Sequence, residues 1–319
     1  MRCVDIVIVN WNSANQIGEC LSSIGRFNTG NISKVVVVDN GSSDGSADNF
    51  SDFSYCDSLQ IEVVRNADNR GFARACNQGA VLCNADYILF LNPDTKLFEK
   101  SLVVPVAFME DPTNKNVGIC GIQLVDKKGR VARTCANFPT LARFIAQAMG
   151  LNKIPGLKGT GGHMDDWDHC SEKRVDHVIG AFFLVRKNLF EALSGFDERF
   201  FVYLEDIDFS FRAGQQGWKT LYLSDAQAFH EGGGLSKQVM AKRLFYSLRS
   251  RLLYGFKHFS WWQAWLLVGV VLLIEPFVRT VFLLFRGDFT GVWDTWSAYN
   301  MLYRDFPNFL SISFARKAS

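Results

Sequence analysis

Short apolar runs rich in β-branched residues recur through the first 124 positions: Val4-Asp5-Ile6-Val7-Ile8-Val9, Val35 to Val38, Ile61-Glu62-Val63-Val64, Tyr87 to Leu91 and Val117 to Ile122. Helical patterns separate them, so this stretch predicts strands alternating with helices in a mostly parallel sheet covered on both faces. The expected class is therefore α/β. Ligands of such sheets bind beyond the carboxyl ends of the strands. The residues at those ends are polar: Asn10, Asn12, Asp39, Asn40, Asn66, Asp68, Asn69, Asn92 and Asp94. The segment from Gly156 to Lys173 is rich in Gly, His and Asp without a clear period, and reads as a long loop. Strand-like Val175 to Val185, a helix from about Lys187, another from about Glu205 and a strand at Thr220 to Leu223 complete this part.

The carboxyl-terminal pattern differs. Between Gly232 and Ile274 there is no Asp or Glu, while Lys237, Lys242, Arg243, Arg249, Arg251 and Lys257 supply six positive charges. Phe245, Leu248, Leu252 and Phe256 fall at helical spacing, which predicts a basic amphipathic helix suited to an anionic membrane surface. Trp261-Trp262-Gln263-Ala264-Trp265 and the apolar run Leu266 to Ile274 follow. That run is shorter than the roughly 20 residues a spanning helix needs, and Glu275, Pro276 and Arg279 interrupt its continuation. An interfacial or re-entrant helix, a spanning helix and a soluble core or dimer helix all remain open. The pattern divides the chain into 1–235, with halves 1–124 and 125–235, and a helical extension at 236–319.

Composition narrows the classes. The 319 residues carry a net charge of +2, too little to imply nucleic acid. Eight cysteines, at 3, 20, 56, 76, 83, 120, 135 and 170, form neither a CxxC pair nor a zinc spacing, so reduced, mostly buried thiols are expected. Residues 1–10 run directly into a strand without a secretory h-region, which places the first 235 residues in the cytoplasm as an expectation.

Several tracts carry candidate chemistry. Val38-Asp39-Asn40-Gly41-Ser42-Ser43-Asp44 ends a strand in a carboxylate that can bond a base or ribose edge, though an ordinary strand-turn-helix connection reads the same. Asn69-Arg70-Gly71 offers close backbone approach and a cation for phosphate, without a Walker loop or the GxGxxG fingerprint of dinucleotide sites. Asn92-Pro93-Asp94 presents a hard oxygen ligand for Mg²⁺ or Mn²⁺, or a simple cap. His230 precedes Gly232-Gly233-Gly234, and a lone His is more often structural than a ligand. In the tract Phe196 to Arg212, the carboxylates Glu205, Asp206 and Asp208 crowd among aromatic residues. Like charges and apolar walls are expected to raise Asp206 toward a proton-accepting value. The alternative is a charged helix start with an Asp208 to Arg212 pair.

Taken together, Val9-Asn10-Trp11-Asn12, Val38 to Ser42, Asn69 to Ala73 with Asn77, Asn92-Pro93-Asp94, Gly180-Ala181-Phe182, Gly195 to Phe201, Glu205 to Asp208 with Arg212, and His230 resemble glycosyltransferase family 2. The likeness spans about residues 4 to 258 and is nearest to bacterial rhamnosyltransferases of cell-surface polysaccharide assembly. It implies a GT-A fold, a Rossmann-like nucleotide-diphospho-sugar transferase sheet. It also implies an inverting, metal-dependent enzyme using Mg²⁺ or Mn²⁺. By the same resemblance Asp206 is the catalytic base, and Glu205, Asp208 and Arg212 support it or bind acceptor. Asn10, Asn12, Asp39, Asn69, Arg70, Gly71, Asn77 and Asn92 line the nucleotide-sugar site, and Asp94 with His230 holds the metal. Asn92 stands where the family's metal motif has its first acid. Gln215-Gln216-Gly217-Trp218 is not the QxxRW of processive synthases, so transfer of single sugars is implied. The implied partners are a nucleotide-sugar donor, with dTDP-rhamnose the favoured one, and a polyprenyl-diphosphate-linked glycan at the cytoplasmic face of the membrane. Another UDP-, GDP- or dTDP-sugar donor, a non-catalytic nucleotide-sugar-binding role in an envelope assembly complex, and a homo-oligomer stay open.

Overall fold

The structure, a computed structural model, describes residues 3–27, 30–48, 59–154, 156–232 and 240–314. The chain forms two compact units. One comprises Met1–Asn137, Trp167–Glu198 and Glu205–Leu235, and the other Phe138–Asp166, Arg199–Leu204 and Ser236–Ser319. Residues 138–166 and 199–204 thus group with 236–319.

Among its described residues the first unit has nine strands: β1 (Val4–Asn10), β2 (Ile32–Asp39), β3 (Ile61–Arg65), β4 (Tyr87–Leu91), β5 (Thr95–Leu97), β6 (Val117–Val125), β7 (Lys173–Val175), β8 (Phe182–Arg186) and β9 (Lys219–His230). Their order is β3-β2-β1-β4-β8-β6-β9-β5, with β7 paired to β9. β1, β2, β3 and β4 pair in parallel, as do β6 and β9, but β8 runs antiparallel to both of its neighbours, β4 and β6. The sheet is thus mixed where the pattern predicted a mostly parallel one. The run Val175 to Val185 is also not a single strand. It breaks into β7 and β8 around a connection that carries His177 and Gly180.

Helix α1 (Gln16–Arg26) buries Ile17, Cys20, Leu21 and Ile24, an i, i+3, i+4, i+7 stripe, against the strands. Helix α2 (Phe72–Val81) follows β3, and α3 (Lys100–Glu110) packs on β6 and β9. Helix α5 (Lys187–Ala192) leads from β8 toward α6 (Glu205–Gln215). Phe209 of α6 meets Phe183, Phe190 and Phe196 at ring-centroid distances of 5.9, 5.4 and 5.3 Å. This aromatic cluster fixes α6, and the carboxylates at its start, against the sheet.

In the second unit, α4 (Leu141–Ala148) and the helices α7 (Met240–His258), α8 (Trp261–Gly269), α9 (Glu275–Phe285) and α10 (Phe289–Phe314) pack together. A π-turn at Val270–Ile274 joins α8 to α9, making one helical run, Trp261–Phe285, long and apolar enough to cross a membrane by length and composition. The expected basic amphipathic helix does form as α7, with Leu248, Leu252 and Phe256 buried. Two of its three arginines, however, turn inward. Arg249 pairs with Asp305 at 2.9 Å, and Arg251 pairs with the fully buried Glu275 at 2.7 Å. These two charges are neutralised inside the unit and do not serve an anionic surface, whereas Lys242 and Arg243 of the same helix are exposed. Lys237 lies outside the described residues.

Candidate active site

The ends of β1 and β2 build a polar cradle. Asn10 is fully buried and donates through Nδ2 to Asp39 Oδ1 (3.0 Å), Ser42 Oγ (3.1 Å) and Ser46 Oγ (3.0 Å), while its Oδ1 accepts from Ser13. Asn12, at a left-handed φ of 51°, accepts the Ser43 amide at 2.7 Å. Asn69 accepts from Asn40 Nδ2 (3.0 Å) and from the Gly71 amide (2.9 Å). Gly41 combines a φ of 75° with an approach so close that a Cβ would lie 2.8 Å from the Asp68 carbonyl carbon, so only glycine fits there. Arg70 rests 3.5 Å from Asp68, largely exposed. Asp44 Oδ1 accepts the Ser46 amide at 3.0 Å. Its Oδ2 accepts the Ala14 amide at 2.8 Å.

Asp94 and His230 meet because β5 pairs β9 with Thr95 opposite His230, and because the Glu231 amide donates to the Asp94 carbonyl at 3.2 Å. His230 Nε2 lies 3.3 Å from Asp94 Oδ1, yet this buried nitrogen has no hydrogen-bond partner. A carboxylate beside an unpartnered imidazole nitrogen fits a divalent cation. Among the described residues no set of three or more His, Cys, Asp or Glu side chains gathers to hold a metal alone. Glu231 is committed to Lys127 and Gln16. Asn92 sits one turn earlier, its backbone N–H bonded to the Ala181 carbonyl at 3.1 Å.

The Asp206 carboxylate opens α6 and is gripped from several sides. Its Oδ2 lies 3.0 Å from His177 Nε2 and accepts the Gly180 amide at 2.9 Å, while Oδ1 accepts the Ile207 amide at 2.8 Å. A Cβ on Gly180 would come 3.2 Å from Oδ2, which explains a glycine at this position. Burial pushes Asp206 upward, but the charge and hydrogen bonding of His177 and the two amides outweigh it, leaving the carboxyl below its ordinary value. This reverses the direction expected from crowding alone. The raised group is Glu205, lifted well above the usual carboxylate range by burial, then by Asp206 and Asp208. Its Oε2 is buried without a partner. The buried Cys76 thiol of α2 also feels both carboxylates and is pushed up, chiefly by its burial. Two adjacent acids with proton affinities driven apart are a recognisable catalytic arrangement.

His177 was not among the residues singled out from sequence. It lay within what read as one strand, and the signal that could have exposed the break is Gly180, since a glycine in a strand pattern marks a bulge or close backbone approach. Three other candidates take scaffold positions. Asp208, with no exposure, pairs with Arg212 at 2.8 Å, and Arg212 also donates to the Leu193 and Gly195 carbonyls. Asn77 donates to the Phe196 carbonyl (2.9 Å) and Glu198 (3.1 Å) and accepts the Phe196 amide (2.9 Å), stapling α2 to the turn before α6. A cavity of about 800 Å³ beside α1, lined by Glu19, Arg26, Lys96 and Phe98 among others, contains none of Asp94, Asp206 or His230.

Residues 5–193 match the model of a family described as glycosyl transferase family 2. The chain belongs to this family. It is a glycosyltransferase, and its mixed sheet flanked by helices is the GT-A-like α/β fold. The family match ends before α6, so Asp206 stands on the geometry above. The chain is 25% identical over 285 residues to N-acetylglucosaminyl-diphospho-decaprenol L-rhamnosyltransferase of Mycobacterium tuberculosis (strain CDC 1551 / Oshkosh), covering 84% of this glycosyltransferase and 90% of that one. It is 29% identical over 170 residues to rhamnosyltransferase WbbL of Escherichia coli (strain K12), covering 53% of this chain and 61% of that protein. Among solved structures, mannosyltransferase PcManGT from Pyrobaculum calidifontis in complex with GDP-Man and Mn²⁺ superposes with a TM-score of 0.56 at 15% identity, over 93% of this chain and 74% of its own.

Proposed function

We propose that this glycosyltransferase moves a single rhamnose from dTDP-rhamnose to a polyprenyl-diphosphate-linked N-acetylglucosamine, with inversion, at the cytoplasmic face of the membrane. The rhamnosyltransferase relatives support the sugar and the kind of acceptor. The observation that carries the chemistry is the Asp206 carboxylate, kept ionised by His177 and the Gly180 amide beside a raised Glu205.

In this reading the cradle of Asn10, Asn12, Asp39, Asn69, Arg70 and Gly71 takes the nucleotide, Asp39 facing base or ribose. Asn92 lies where the diphosphate would pass. The acceptor oxygen attacks the anomeric carbon from the face opposite the diphosphate, the bond to the leaving oxygen breaks with its electron pair, and the acceptor proton goes to Asp206. One carboxylate base suffices for a direct displacement, unlike the carboxylate pair of glycosidases. His177 holds Asp206 in place and favours its anionic form before the proton arrives. Asp94 and His230 would hold a divalent cation, Mg²⁺ or Mn²⁺, which when bound neutralises charge gathering on the diphosphate.

The test is a donor panel. Purified protein with the lipid-linked acceptor should turn over dTDP-rhamnose faster than UDP-N-acetylglucosamine, UDP-galactose or GDP-mannose. Turnover with one of these and none with dTDP-rhamnose would overturn the donor assignment.

A further inference from the structure

Two segments of the second unit converge on the ring of Phe282. Lys153 Nζ lies 4.1 Å from its centroid and the Arg286 guanidinium carbon 4.3 Å. Neither cation forms an ion pair with a described residue. Arg279, one helical turn before Phe282, is taken up by Glu275 through contacts of 2.8 and 2.7 Å. Asp288, the nearest acid in sequence to Arg286, caps α10 by accepting the Gly291 amide at 2.8 Å. The two positive charges are thus drawn onto one ring without an ion-pair partner among the described residues, and burial, then Arg279 and Arg286, lower Lys153 from its ordinary value against a smaller opposing pull from Glu275.

The surroundings of this pair are apolar and open. On the Lys153 side Met149, Leu151, Ile154 and Leu157 are exposed, and on α9 Val281 and Phe285 are, Phe285 by 89%. Phe277, Val281 and Phe285 follow at i, i+4, i+8, a stripe adjoining the one that carries Arg279, Phe282 and Arg286. Long cationic side chains among exposed apolar residues match the boundary between hydrocarbon and headgroups, where the stem lies in apolar surroundings and the charge reaches phosphate.

We propose that Lys153 and Arg286, gathered on Phe282, bind the phosphate of an anionic phospholipid while the flanking apolar residues enter one leaflet. The inference rests on the membrane-bound reading above and specifies which charges make it selective. Arg249 and Arg251 of α7 take no part, being spent internally. Glu275, fully buried and bridged by Arg251 and Arg279 in the middle of the run Trp261–Phe285, agrees with a helix lying in the interface, because a spanning helix would carry this ionic cluster to the bilayer centre.

Sedimentation of the full-length protein with vesicles tests this. Wild type is expected to bind phosphatidylcholine–phosphatidylglycerol vesicles more tightly than phosphatidylcholine alone. Lys153→Gln with Arg286→Gln should lose roughly thirtyfold of the affinity for the mixture, about fivefold per charge, with phosphatidylcholine binding unchanged. Equal binding of the double variant and wild type to the mixture would overturn the proposal. So would equal loss of wild-type binding when inorganic phosphate replaces sodium chloride at matched ionic strength, since the site would then be one for free phosphate. Sugar transfer to the lipid-linked acceptor in detergent is measured in parallel. Its absence in wild type counts against the function proposed above, whereas normal transfer with no lipid selectivity counts only against the phosphate site.

Discussion

His177 is the residue on which the reading of Asp206 turns, and replacing it gives a prediction with a definite sign. In wild type the Asp206 carboxyl sits below its ordinary value, so the stability its ionised form contributes is complete above the unfolded carboxyl value and is lost only as pH falls through the lower folded value. His177→Ala removes the largest opposing influence and leaves burial to dominate. The carboxyl then takes up its proton at higher pH, and the acid limb of the kcat/KM profile moves upward. The magnitude follows from the contact. A hydrogen bond to a charged group contributes about 1.5–3 kcal/mol, and breaking one side of a buried pair costs about 3–5 kcal/mol. The Asp206 side chain is 14% exposed and keeps the Gly180 and Ile207 amides, so the lower range applies. If that interaction is fully expressed in the transition state, kcat/KM at neutral pH falls about 10- to 150-fold. His177→Gln restores a neutral donor and should recover part of the rate while leaving the acid limb shifted. Glycosyl transfer followed across the acid range by product chromatography is the assay. An acid limb that coincides in wild type and His177→Ala would refute the reasoning, whatever the change in rate.

Three further outcomes are expected. Gly180→Ala places a Cβ 3.2 Å from Asp206 Oδ2, and should lower kcat with little change in donor KM; unchanged kcat would show that the amide grip on Asp206 does not matter. Phe209→Ala empties the aromatic cluster behind α6 and should cost about 3–5 kcal/mol in urea unfolding, so a loss under about 1 kcal/mol would mean that α6 is held elsewhere. His230→Ala should weaken Mn²⁺ binding by about 10- to 100-fold, read by calorimetry in the presence of a non-transferable donor analogue; identical affinities would remove His230 from the metal site.

The strand ends were legible because β-branched runs stop abruptly at Asn10, Asp39, Leu91 and their polar successors, and because a sheet's ligand edge follows from that topology. The acids of α6 were legible as a cluster of charge among aromatics. Strand direction was not, because alternation and burial are the same for a parallel and an antiparallel strand; β8 reverses only because the chain returns to the sheet between β4 and β6. The ion pairs of α7 were hidden for a related reason. Arg251 and Arg249 find acids 24 and 56 residues away in sequence, so composition alone assigned them to a surface they do not face. The sign of the Asp206 shift depended on His177 and the Gly180 amide, neither of which is near it in the chain. The exposed pairing of Lys153 with Arg286 likewise joins segments more than a hundred residues apart.

The central claim is that Asp206 takes the acceptor proton during transfer of one rhamnose. Mass spectrometry of the lipid-linked glycan after incubation with dTDP-rhamnose tests it most directly, comparing wild type with Asp206→Asn. Wild type should add a single rhamnose, and Asp206→Asn should do so about 10²- to 10⁴-fold more slowly with donor binding retained. Undiminished transfer by Asp206→Asn would contradict the account.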